Sequence, residues 1–195
     1  METFDQIIQR ELRSSMDLHR TILEDNEIRG TLGVAARSAA NSIEAGGKII
    51  FAGNGGSFAD AQHLAAEFIG NMGVPRPSLP SVALGTNLSS VTAIGNDFDF
   101  NDIFVREFSA IASQKDFLIL ISTSGNSKNL LPVENFAQGI GVKGLILSGK
   151  SGGQLLGLFP TVLVPHQRTE RIQEIHILLG HIFCELVEKS LGYRT

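Results

Sequence analysis

Apolar positions along the 195-residue chain fall into two rhythms. In the first 45 residues they recur about every three or four positions: Ile7, Ile8, Leu12, Met16 and Leu18, then Ala35, Ala36, Ala39, Ala40 and Ile43. This spacing predicts helices over 2–24 and 27–45, the second stopped by Gly46-Gly47. From Lys48 the pattern changes to short, nearly continuous apolar runs at 48–53, 81–85, 116–122, 142–149 and 160–165. Runs of this kind read as parallel strands buried on both faces. Helical patterns lie between and after them, at 57–70, 101–113, 128–139 and 169–191. The alternation predicts an α/β fold, a parallel sheet with helices on both faces, forming one domain over 1–195. The two leading helices have no strands of their own to cover, so they are expected to pack on another subunit.

Composition narrows the function. The formal net charge is −4 and the 16 Lys and Arg residues form no basic stripe, so no nucleic-acid groove is expected. A bound phosphate must then be held by local donors rather than by a global positive field. The single cysteine, Cys184, excludes an internal disulfide and fits a reducing compartment. With no apolar leader segment and no membrane-length apolar run, the expectation is a soluble cytoplasmic protein with no membrane partner.

In parallel sheets of this kind ligands bind beyond the carboxyl ends of the strands. Three loops there carry candidate chemistry. Gly53-Asn54-Gly55-Gly56-Ser57 joins a strand to a helix; it suits either an anion cradle of backbone N–H groups or a plain tight turn. Ser122-Thr123-Ser124-Gly125-Asn126-Ser127 offers four hydroxyls. Helix capping would use only one of them, which favours phosphate binding. The third loop, Ser148 to Gly153, completes a formal match to G-x-x-x-x-G-K-S from Gly144 to Ser151. Its variable positions fall in the strand itself, not in a loop, so a nucleotide-binding P-loop is rejected. A dinucleotide fingerprint fails as well, because Phe58 stands where the third glycine belongs.

Two helices supply titratable groups. On 57–70, Phe58, Ala61, Leu64, Ala65, Phe68 and Ile69 form the apolar stripe, and His63 and Glu67, four apart, share a face nearly opposite it. On 169–191, Ile172, Ile175, Leu179, Ile182, Phe183 and Leu186 form the stripe, with Gln173 and His181 on the far side. Such a His–carboxylate pair is either a solvated helix face, a metal-binding pair or an acid–base pair. Ile177, Gly180 and Cys184 fall off the stripe and suggest a second buried face. A site on faces turned from the core would need another subunit to close it.

Several segments together carry a resemblance. AGNGGSFADAQHLAAEF (52–68), TAIGNDFDFNDIF (92–104), ISTSGNS (121–127), SGKSGG (148–153) and ERIQEIHILLGHIFCELVEKSL (170–191) resemble the phosphoheptose isomerases of the sugar isomerase (SIS) domain family. The resemblance implies a flavodoxin-like three-layer fold with a five-stranded parallel sheet, and a homotetramer with shared active sites. It implies an aldose–ketose isomerase that converts sedoheptulose 7-phosphate to D-glycero-D-manno-heptose 7-phosphate, toward bacterial lipopolysaccharide. By position, Glu67 resembles the general base and His181 the general acid. Gly55, Gly56, Ser57, Ser122, Thr123, Ser124 and Ser127 resemble phosphate-binding positions, and Asn54, Asn96, Asp97 and Gln173 substrate contacts. Zinc is implied at His63, Glu67, Gln173 and His181.

Two positions depart from the family pattern. Asn71 stands where arginine is common, and Glu170 where aspartate is common, which leaves a related heptose or octulose phosphate open as the substrate. A further alternative is the non-catalytic SIS adaptor that binds a replication initiator protein. That branch lacks the residues matching Glu67 and His181, both of which are present here.

Overall fold

The computed structural model describes residues 2–149 and 151–194. Two helices come first, α1 (Phe4–Glu24) and α2 (Asn26–Glu44). Asp25 separates them: its carboxylate accepts from the N–H groups of Glu27 and Ile28, capping α2 where α1 has just ended. Then follow β1 (Ile49–Gly53), α3 (Gly56–Ile69), β2 (Ser81–Ala83), α4 (Leu88–Asp97), α5 (Ile103–Ile111) and β3 (Phe117–Ser122). The chain ends with α6 (Leu131–Gly139), β4 (Lys143–Gly149), β5 (Thr161–Val164) and α7 (Thr169–Ser190). All five strands are parallel, in the order β2-β1-β3-β4-β5. This is the flavodoxin-like order, in which the connections reverse direction between β1 and β3.

The strand alternation sorts the core into two layers. Ile49, Phe51, Phe117, Ile119, Ile121, Leu145 and Leu147 face α2, α3 and α7, while Ile50, Ala52, Leu118, Leu120 and Ile146 face α5 and α6. Burial of each large side chain contributes about 1.5–3 kcal/mol. At the amino end of the sheet, buried Asp116 pairs with Lys48 Nζ at 2.7 Å and accepts from the Lys48 N–H at 2.9 Å, tying the start of β1 to that of β3.

Three expectations need correction. α2 does cover the sheet: Ile28, Leu32, Ala35, Ala36, Ala39 and Ala40 are buried against α7 and the strands, because its small alanine face lets it lie close. Only α1 leaves a large apolar face open, with Phe4, Ile8, Leu12, Met16 and Leu23 exposed. Within the predicted stripes, Ile69 and Ile182 are exposed, since α3 and α7 pack on each other and turn those positions outward. Helix α4 is outside the predicted elements: none of its residues is fully buried, and only Val91 and Ile94 pack on the core.

The far layer holds an anomaly. Glu134 on α6 is fully buried, and neither carboxylate oxygen has a partner. Burial pushes its carboxyl up to about 7. The unfolded chain loses this proton near 4.5, so between those values the folded state holds more protons and stability falls as pH rises. Glu134→Gln should therefore raise the melting temperature at pH 8 and change it little at pH 4. The pH 8 gain corresponds to about 3 kcal/mol, from the shift to about 7. Equal melting temperatures at pH 8 would show that the carboxylate is satisfied in solution.

Candidate active site

The reversal between β1 and β3 sets the place: the loops after these two strands flank a crevice at the carboxyl edge of the sheet. They are joined by paired amides. Asn54 Nδ2 donates to Asn129 Oδ1 at 2.8 Å, and Asn129 Nδ2 donates back to Asn54 Oδ1 at 2.9 Å. Asn129 is buried and carries no periodic signal in the sequence, which is why it went unmarked. Ser57, the first hydroxyl after the glycines, is buried in the first turn of α3.

The serine-rich loop is braced from below. Ser122 and Ser127 hydroxyls lie 2.9 Å apart, and Ser122 Oγ accepts the Gly125 N–H at 3.2 Å. Ser124 Oγ accepts the Asn126 N–H at 3.2 Å. Among the described residues Thr123 makes no hydrogen bond through its hydroxyl. The Ser148 hydroxyl donates to the Ser122 carbonyl at 3.0 Å, and His176 Nε2 donates to the Ser148 carbonyl at 3.0 Å. Full burial holds the His176 imidazole neutral, down at about 4. Part of the third loop packs against the serine-rich loop. Gly125 at φ +65° lies so close to the third loop that a Cβ would fall 1.8 Å from the Gly152 carbonyl oxygen. The segment from Gly144 to Gly149 is strand β4, as the rejection of a P-loop requires, and Lys150 lies outside the described residues.

The titratable groups meet in the groove between α3 and α7. His63 Nε2 lies 2.9 Å from His181 Nε2 and 3.3 Å from Glu67 Oε1, and one ligand atom from each residue falls within a 4.8 Å span. Two donors on a tetrahedral zinc with bonds near 2.0–2.1 Å sit about 3.3 Å apart, so two imidazole nitrogens and a carboxylate oxygen at these distances fit one such ion. The helices approach this closely because Gly180 presents no side chain; a Cβ there would fall 2.5 Å from Leu64 Cδ1. The second buried face predicted from Ile177, Gly180 and Cys184 is therefore covered by α3 of the same chain, and the three-residue cluster needs no other subunit.

Two predicted groups lie apart from this cluster. The Gln173 amide is packed over Gly56, where a Cβ would fall 2.2 Å from its Nε2. Asn96 and Asp97 are exposed at the end of α4 and, through their side chains, hydrogen-bond only each other among the described residues.

The chain matches the SIS domain family over residues 13–147. It is 40% identical over 185 residues to the phosphoheptose isomerase of Sulfurimonas denitrificans, covering 94% of this chain and 95% of that one. Two solved phosphoheptose isomerases superpose on it. The one from Francisella tularensis has a TM-score of 0.90 at 30% identity, covering 96% of this chain and 99% of that one. The one from Neisseria gonorrhoeae has 0.87 at 35%, covering 96% and 100%.

The chain belongs to the phosphoheptose isomerase family. This member carries one group in the groove that the sequence pattern did not single out. Asp60 is three residues before His63 and seven before Glu67, so it shares their face. Burial raises its carboxyl to about 6, against the lowering pull of His63 and the Gln173 hydrogen bond, and its Oδ2 has no partner. The i, i+3, i+7 spacing was available in the sequence; the burial was not. On the other side of the glycine loop a cavity of about 180 Å³ opens beside Phe58, Leu88 and Phe104.

The contrast between two glycines tests the interlock of loops in this phosphoheptose isomerase family member. Gly55 and Gly125 both have positive φ, at 56° and 65°, but only Gly125 has atoms where a side chain would go. Alanine at either position should cost about 1–3 kcal/mol for the backbone alone. Gly125→Ala should lower the melting temperature further than Gly55→Ala, because the third loop must move. Equal losses in thermal melts would mean that the two loops are not interlocked.

Proposed function

We propose that this chain isomerises sedoheptulose 7-phosphate to D-glycero-D-manno-heptose 7-phosphate through an enediol, supplying a heptose precursor of lipopolysaccharide. The observation that carries the reading is the cluster of His63, Glu67 and His181 in a chain of this family. Ser57, Ser122, Thr123, Ser124 and Ser127, with the N–H groups of Gly55 and Gly56, are assigned to the phosphate. Asn54, Asn96, Asp97 and Gln173 are assigned to the sugar; for Asn54 the role includes holding the two loops together through Asn129.

In the forward direction Glu67 takes a proton from C1 of the ketose as His181 protonates the oxygen on C2. The enediol then loses its O1 proton to His181 and regains a proton at C2 from Glu67, leaving an aldehyde at C1 and a hydroxyl at C2. Acid–base groups placed in this way contribute about 10²–10⁴-fold. His63, Glu67 and His181 would hold a zinc ion, which when bound polarises the carbonyl and favours the enediolate, whereas Gln173, packed over Gly56, stands outside that set. Glu67 is one-fifth exposed at its side chain, so substrate and a neighbouring subunit would complete its shielding from water.

We also assign the protein to the cytoplasm as a homotetramer of single-domain chains. The exposed apolar side chains of α1 support assembly, as does the exposed position of Asn96 and Asp97, which suits a contribution to a neighbour's site. No described helix is long and apolar enough to cross a membrane.

Glu67→Gln should lower kcat by about 10²-fold or more while substrate affinity stays within a few-fold, since the shape is kept and the base removed. Turnover of sedoheptulose 7-phosphate followed by NMR measures this, and an unimpaired variant would take Glu67 out of the mechanism. Light scattering should give about four times the chain mass of 21.0 kDa. A monomeric particle would sink the shared-site assignment.

A further inference from the structure

The carboxyl end of α3, which carries Glu67, is held by a buried guanidinium. A helix leaves its last four carbonyls without intrahelical donors. Arg76, from the segment after α3, supplies the missing donors: Nη2 donates to the Glu67 carbonyl at 2.7 Å, and Nη1 to those of Phe68 at 2.8 Å and Gly70 at 3.2 Å. Its Nε donates to Glu188 Oε1 at 2.7 Å, and both side chains are 1% exposed. Glu188 lies on α7 two turns beyond His181, on the same face. Its other oxygen accepts from Arg194 Nε at 2.6 Å. An unbroken buried path thus runs from the Glu67 backbone through Arg76 and Glu188 to the helix that carries His181.

We infer that Arg76 and Glu188 are positioning residues for the isomerisation: they set the separation of Glu67 and His181 by clamping α3 to α7 beneath the site. A buried ion pair is weak evidence for stability, because desolvation offsets the attraction and apolar replacements are often neutral. What this pair provides is a fixed relation between two helices at the end where no glycine contact holds them. Higher up, Gly180 rests on Leu64, and the Gln173 amide covers Gly56. Without the clamp the helix ends would separate first at Glu67. The cation also suits the negative end of α3.

The inference rests on the isomerase reading, so the parent protein is assayed first. A parent that neither turns over sedoheptulose 7-phosphate nor binds zinc overturns that reading and this one together. With an active parent, the test is Arg76→Met combined with Glu188→Leu, which removes both charges and leaves no buried ion alone. Circular dichroism checks that it folds. The expected result is a fall of about 10-fold or more in kcat with KM nearly unchanged, and zinc affinity by calorimetry weaker by 10–100-fold, the range for lost outer-shell support. Glu188→Gln keeps an acceptor for Arg76 and should recover most of both losses; it also serves as the readout if the double variant does not fold, with kcat and zinc affinity intermediate between parent and loss. Variants that melt earlier but keep the parent's kcat and zinc affinity overturn the inference, because a purely structural brace would affect only the melt.

Discussion

The contact between α7 and α3 is the constraint on which the site depends. Gly180 has no side chain, Leu64 occupies that space, and the two helix backbones come close enough for His63 and His181 to face each other at 2.9 Å. A side chain at position 180 would collide with Leu64 unless that side chain or the helices shifted. The cluster therefore follows from a packing requirement as much as from the residues that form it. The groove between these helices also explains why Glu67 is mostly sheltered while His63 stays about half exposed: one lies deeper between the helices and the other at the rim.

The loops at the carboxyl edge depend on the sheet. Reversal of the connections between β1 and β3 opens a crevice that no strand fills, and the two flanking loops must then be kept from drifting. Three kinds of bond do this: the amide pair of Asn54 and Asn129, the close seating of Gly125 on Gly152, and the ladder from His176 through Ser148 to Ser122. The ladder starts on α7, the helix that carries His181. The same element thus supports the hydroxyl loop and contributes His181 to the three-residue cluster, so a shift of α7 would be felt at both.

Much of this was legible in the sequence, for physical reasons that differ from case to case. The strands were visible because burial on both faces demands unbroken apolar runs, as in Phe117–Ser122. His63 and Glu67 were visible because four residues make a helical turn. Gly180 is visible as a gap in an otherwise large-residue helix, although the sequence does not name the residue that fills it. α2 was misjudged because alanines give a weak apolar signal at the same positions where they allow the closest approach to the sheet. Asn129, His176 and Arg76 were invisible because each is a polar residue buried by tertiary contacts, and a polar residue in a sequence reads as exposed until its partners are known.

The buried polar groups show how partners decide what burial means. Arg76 and Glu188 are buried and satisfied, and they link two helices. Glu134 is buried in the apolar layer with no partner, so its carboxyl stays protonated to a higher pH and can only weaken the fold as pH rises. Asp60 has the same kind of orphan oxygen and a similar upward shift, but it faces Gln173 and lies one turn from His63. The acceptor at Asp60 lies in the groove between α3 and α7 beside polar groups, whereas the one at Glu134 is enclosed by the apolar layer. What a buried carboxyl does is thus set by the groups around it, not by burial alone.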